Sequence, residues 1–126
     1  MTITWILFLL VLKHALADLI LQSRLNTGDK ADLRTAKGYI HATDHALLTF
    51  AVFIFFINPY YAVALGLLDF VLHFAIDYSK TKFVRKYGII QNSRSFWIVQ
   101  GVDQIAHYSC YMLYTYIAFW YVLWPM

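Results

Sequence analysis

The chain contains no glutamate and a single cysteine, Cys110. One thiol excludes an intramolecular disulfide and a thiolate metal cluster. Charge is also scarce. Charged residues make up 13% of the 126 positions, against about 25% in a soluble domain. The net charge of +3 is modest, and the basic residues sit in short loops between apolar runs, a pattern that argues against nucleic-acid binding. Alternation with a period of two is missing, as are low-complexity stretches, so strands and disordered tracts are not expected.

What is present is apolar. Apolar residues account for 61% of the sequence, and a core built from one domain of this length cannot hide so much of them from water. The expected class is all-α, a polytopic integral membrane protein formed as a four-transmembrane-helix bundle. About 20 apolar residues span a bilayer as a helix, and four runs qualify, at about 2–22, 38–57, 60–80 and 97–124 within a single domain, 1–126. Asn58 and Pro59 mark the tight turn before the third run, with Pro59 suited to a helix start.

Nine of the ten Lys and Arg residues lie in or beside two loops. Arg24, Lys30, Arg34 and Lys37 belong to the first, and Lys80, Lys82, Arg85, Lys86 and Arg94 to the third. By the positive-inside rule both loops face the cytoplasm and both termini face outward. The mixed basic and apolar stretch from Thr81 to Trp97 is expected to lie along the membrane surface. Ala15 to Asp18 resembles a signal-peptidase site, but no basic residue precedes the apolar stretch and Lys13 and His14 fall just before it, so cleavage is not expected.

All five histidines, and five of the seven aspartates, fall inside these runs. An ionisable residue at mid-membrane costs about 2.5 to 3.5 kcal/mol on insertion scales and is a functional candidate by default. Each run carries one pair spaced i, i+4, which puts both members on one helix face. The pairs are His14 and Asp18, His41 and His45, His73 and Asp77, and Asp103 and His107. With a rise of about 1.5 Å per residue, His14, His45, His73 and His107 lie roughly 10 to 13 Å below the cytoplasmic surface, and Asp18, His41, Asp77 and Asp103 roughly 5 to 7 Å below it.

Two stacked layers of imidazoles and carboxylates have the composition of a metal site built in a bundle core. Eight donors exceed the needs of one tetrahedral ion and suit one or two divalent ions, Zn above all, with Fe or Mn also compatible. Gln22, Lys80, Gln100 and Gln104 cluster near the same end, as donors that orient ligands or hold substrate, or as ordinary helix-end polarity. Asp69 lies one turn deeper than His73, either as an acceptor behind the ligands or as a partner for Lys13. Asp44 lies off the paired faces. The aromatic residues of the fourth run read as packing and an interfacial belt.

The segments "HALADLILQ", "YIHATDHALL", "HFAIDYSK" and "DQIAHY" resemble the bacterial and phage membrane family known as domain of unknown function 3307, in order and over nearly the whole chain. The resemblance implies that His14, Asp18, Gln22, His41, His45, His73, Asp77, Lys80, Asp103, Gln104 and His107 form a polar signature. A looser pattern is similar to membrane-bound metal-dependent hydrolases, whose His-x-x-x-Asp logic is shared with zinc phospholipase C and P1 nuclease. This chain has neither the Glu nor the N-terminal Trp ligand of those three-zinc sites.

The functional expectation is a metal-dependent hydrolase acting on a phosphoester or lipid-linked substrate at the cytoplasmic leaflet. Water activated by the ion, with its pKa lowered towards about 7, is the nucleophile. Asp69 or Asp103 is the general base, and Lys80 holds the anionic group. Two alternatives stand beside it. One is a carrier, sensor or interaction subunit that handles metal or protons without catalysis. The other is a structural protein whose polar core only fixes the bundle. The expected partners are the bilayer and such a substrate, with no nucleic acid; a homo-oligomer is allowed.

Overall fold

The structure, a computed structural model, describes residues 2–21, 30 and 32–120. It is all-helical among these residues. Four helices follow one another as α1 (Thr2–Leu16), α2 (Lys37–Phe53), α3 (Pro59–Lys86) and α4 (Arg94–Ala118). A π-helical turn, Ala17–Leu21, extends α1.

Local chemistry sets the boundaries. Asn58 caps α3 by accepting from the Tyr60 amide at 3.0 Å, and Pro59 occupies the first turn, where its missing N–H costs nothing. Ser93 caps α4 through the Phe96 amide at 3.2 Å. α3 ends at Tyr87, and Gly88 follows with φ at 58°, a left-handed position that glycine takes without a Cβ penalty. The third loop is therefore short. Residues 81–86 continue α3, and Arg94 to Trp97 open α4. The surface-lying stretch expected there is replaced by two helix ends, because Lys and Arg sustain a helix well and the Gly and Ser stop and start signals sit only at 88 and 93.

The helices run up and down. Side-chain pairs fix the sense: Thr49 meets Asp69 while His41 lies beside Asp77, and Asp69 meets Tyr114 while Lys80 meets Asp103. His14 reaches Tyr111, which places α1 antiparallel to α4. The bundle therefore has two unlike ends. At one end Ile6, Leu10, Phe53, Ile57, Leu65 and Ala118 make an apolar core. At the other, the buried residues include all five histidines, Asp77 and Asp103.

Two helical segments, Thr2–Leu21 and Pro59–Lys86, are long and apolar enough to cross a membrane. The other two helices fall short of that description for a physical reason. α2 has only 17 residues and spends His41, Asp44 and His45 among them. α4 opens with Arg94, Gln100, Asp103 and Gln104. The last turns expected for the first and fourth runs, at 22 and 121–124, lie outside the described residues.

α2 and α3 approach closely at Gly66, where an added Cβ would stand 3.0 Å from the Ala46 carbonyl oxygen and 3.4 Å from the Phe50 Cβ; nothing lies within 4 Å of such a Cβ at Gly101. Gly66→Val is expected to destabilise the bundle by about 1 to 3 kcal/mol through overpacking, whereas Gly101→Ala is neutral or stabilising. Thermal unfolding of the two variants in the same detergent checks this, and equal melting temperatures would remove the close contact.

Candidate metal centre

The i, i+4 faces converge. Three groups of side chains each bring their donor atoms within 4.8 Å of one another: Asp18, His41, His45 and His73; His14, His73 and His107; and Asp77, Asp103 and His107. All eight residues expected as ligands fall in these groups. His73 and His107 each belong to two of them, so the three groups are one continuous cluster. Asp44 and Gln100 join none of the groups, and Gln22 lies outside the described residues.

The imidazoles form the middle of the cluster and are almost wholly shielded. His45 and His73 stack with ring centroids 3.5 Å apart, and His73 and His107 lie 4.2 Å apart. His14 is 5.0 Å from His107, and His41 is 4.6 Å from His45. His41 and His73 are each 1% exposed, yet neither ring nitrogen of either residue has a hydrogen-bond partner. His41 Nε2 is 3.2 Å from Asp18 Oδ1 and 3.5 Å from Asp77 Oδ2, but the alignment of a hydrogen bond is missing. Leaving a buried polar atom unsatisfied costs about 1 to 3 kcal/mol.

Carboxylates flank the rings. Asp18 stands on the π-helical turn, a local widening common at functional sites. There it meets His45 Nε2 at 3.1 Å and His14 Nε2 at 3.3 Å, and its side chain is 31% exposed. It is the cluster's most open member. Asp77 lies 3.5 Å from His107 Nε2, and Asp103 lies 3.6 Å from it. Asp103 Oδ2 accepts from Lys80 at 2.9 Å and from Gln104 at 3.4 Å, while Oδ1 is buried without a hydrogen-bond partner.

A deeper layer fixes the rings from behind. Asp69 accepts from Lys13 at 2.7 Å, Thr49 at 2.6 Å and Tyr114 at 3.1 Å. Both of its oxygens are committed, and it is 1% exposed. Lys13 also reaches the His45 carbonyl oxygen and His45 Nδ1, each at 3.3 Å. The Tyr111 hydroxyl lies 2.8 Å from His14 Nδ1. Gln104 Oε1 lies 3.1 Å from His14 Nε2, so the ring is held at both nitrogens.

Thr49, Tyr111 and Tyr114 carry no charge, and in the sequence the two tyrosines read as packing. Their signal was the same helical spacing carried one turn further, Thr49 at i+4 from His45 and Tyr111 at i+4 from His107. Lys30 is a different case. It belongs to the first loop, and its ammonium lies 2.6 Å from Asp77 Oδ2, which no helical periodicity announces.

The donor set is nitrogen and oxygen without sulfur, suited to Zn, Fe or Mn. A family model, described as protein of unknown function (DUF3307), matches residues 6–124. The chain belongs to this family. No curated protein matches it, and no solved structure does, so the looser likeness of this DUF3307 chain to metal-dependent hydrolases rests on its motifs alone.

Asp69→Leu leaves the Lys13 ammonium buried and unpaired, and breaking a buried pair from one side costs about 3 to 5 kcal/mol. The double variant Lys13→Met/Asp69→Leu is expected to recover much of that loss. A double-mutant cycle on unfolding free energies, completed with Lys13→Met, measures it, and a double variant whose loss equals the sum of the two single losses would mean that the two residues act independently.

Proposed function

We propose that the protein is a metal-dependent hydrolase of phosphoesters, embedded in a bacterial inner membrane as a four-span bundle with its cluster towards the cytoplasmic side. The observation that carries the metal is the pair of buried histidines, His41 and His73, whose ring nitrogens have no hydrogen-bond partner at the centre of three donor groups. A divalent ion is the partner that such nitrogens fit.

The membrane reading draws on the inside-out distribution of polarity. Trp5, Leu19, Leu67, Val71, Ile105 and Met112 are exposed, while Lys13, Asp69 and the histidines are buried. Soluble monomers rarely expose apolar patches beyond a few hundred Å². Loop cations at the cluster end agree with a cytoplasmic orientation.

His14, His41, His45, His73 and His107, with Asp18 and Asp77, would hold one or two ions, Zn above all. A bound divalent ion polarises a phosphoryl oxygen and makes water nucleophilic near neutral pH. The protein's own groups supply the rest. Lys80, with its side chain 21% exposed, holds the phosphate at the rim. Asp103 Oδ1, free of hydrogen bonds, would take the proton from the attacking water as the new P–O bond forms and pass it to the departing alkoxide oxygen as the ester P–O bond breaks. Asp69 is better suited to hold Lys13 than to act as base, since three donors already occupy it. A second reading, metal or proton handling without catalysis, draws on the polar chain from Asp69 through Lys13 and His45 to Asp18.

Two measurements test this. Elemental analysis of the purified full chain should find one or more equivalents of Zn, Fe or Mn. His73→Ala should lower that content severalfold, because His73 serves two donor groups, while Asp44→Ala leaves it unchanged. Metal-free protein that stays metal-free after reconstitution would end the hydrolase reading and favour the proton relay. For topology, a reporter fused after Met126 is expected on the outer side, and a cytoplasmic signal there would invert the bundle.

A further inference from the structure

α3 and α4 do not close against each other along their whole length. Beside the cluster they leave a groove of about 620 Å³, within the range of roughly 300 to 1,000 Å³ typical of small-molecule sites. Leu72, Ile76 and Phe83 line it from α3, and Ile98, Val99 and Val102 from α4. Phe83, Ile98 and Val102 are exposed, so the groove opens sideways onto the apolar outer surface. Among the described residues, its charged lining residues are Lys80 and Asp103, which bind each other at 2.9 Å. Asp103 is at the same time a member of the donor group with Asp77 and His107. An apolar channel thus runs from the outer face of the bundle to a cation, and the cation stands beside the candidate metal centre.

We infer that this groove holds the hydrocarbon chain of a membrane lipid whose phosphate headgroup is received by Lys80. The inference rests on the hydrolase reading above and names its substrate class. Charge complementarity selects the occupant. A wholly apolar molecule offers the Lys80–Asp103 pair no polar partner, and a water-soluble phosphoester leaves the apolar walls unused. A chain-bearing phosphate matches both. Lipid tails are as apolar as leucine, so a chain entering from the bilayer gains little affinity from these walls. The groove orients the lipid and admits it laterally, and Lys80 supplies the choice of headgroup. The ester bond next to the phosphate is thereby brought to Asp103 and the cluster.

The test uses the full chain in detergent, stripped of lipid and titrated with phosphatidic acid, phosphatidylcholine or inorganic phosphate under native mass spectrometry. Phosphatidic acid is expected to bind at least about tenfold more tightly than phosphatidylcholine, a difference of about 1.4 kcal/mol. Ala75→Trp and Val99→Trp, which fill the groove from opposite walls, should each weaken phosphatidic acid by a similar factor and leave metal content intact. Equal binding of the two lipids would mean boundary lipid only and would overturn the proposal. So would Trp variants that bind like the parent, or inorganic phosphate that competes as well as the lipid.

If the Trp variants do not fold, phosphatidic acid carrying a photoreactive group on its chain reads the site in the unaltered protein. Labelling within 72–83 and 98–106 supports the groove, and labelling elsewhere removes it. Selective lipid binding by a protein that never takes up metal would keep the groove and discard the hydrolase reading.

Discussion

Asp69 sits on α3 and accepts a hydrogen bond from one side chain on each of the other three helices: Lys13 of α1, Thr49 of α2 and Tyr114 of α4. No other contact in the described residues ties the bundle together in this way. A carboxylate in an apolar interior is tolerated only when it is paired and hydrogen-bonded, so the four helices are held in one rotational setting by the need to satisfy it. That setting turns a histidine of each helix into the interior beside the Asp69 layer. His14 follows Lys13, His45 precedes Thr49 by one turn, His73 follows Asp69 by one turn, and His107 precedes Tyr114 by two. The histidine layer is therefore a geometric consequence of the Asp69 layer beneath it.

The two layers differ in how they are satisfied. Around Asp69 every oxygen has a donor, and the arrangement is complete without a ligand. Towards the other end, no ring nitrogen of His41 or His73 has a hydrogen-bond partner, and neither does Asp103 Oδ1. A bundle that needed polar groups only to specify its packing would do better with the first kind of layer repeated, since a half-satisfied network is less stable than an apolar core. The contrast between a closed layer and an open one favours a binding role over a purely structural one for the histidines. It also separates the carboxylates: Asp69 is fully hydrogen-bonded and holds the frame, Asp103 keeps one oxygen without a hydrogen bond, and Asp18 is the most open.

Much of this was legible in the sequence because helical spacing and the scarcity of charge act together. In a chain with so few ionisable groups, four i, i+4 pairs inside apolar runs leave few arrangements other than a shared interior, and the pairs do meet. The closed layer was harder to see. Thr49, Tyr111 and Tyr114 are unremarkable in an apolar helix until a charged neighbour is known to face them, and Lys13 with Asp69 admitted two roles until the distance was known. Lys30 could not be placed at all, because a loop residue follows no period. The helix ends near 87 and 94 are harder to read for a simpler reason: basic residues suit a surface segment but are also good helix formers, and only Gly88 and Ser93 mark the break.

The polarity of the bundle along its axis limits what the cluster can serve. The hydrogen-bonded chain from Asp18 through His45 and Lys13 ends at Asp69, and beyond it lie Ile6, Leu10, Phe53, Leu65 and Ala118, with no ionisable side chain among them. A hydrated ion or a proton entering at Asp18 meets an apolar plug about half-way along the bundle, where desolvation is expensive. A carrier would have to dismantle that plug in every cycle. A catalyst needs access from one side only. Here that access has two forms, a polar opening at Asp18 and an apolar one between α3 and α4, and they converge on one cluster. Water and an amphiphilic ester could each arrive by the route that suits it.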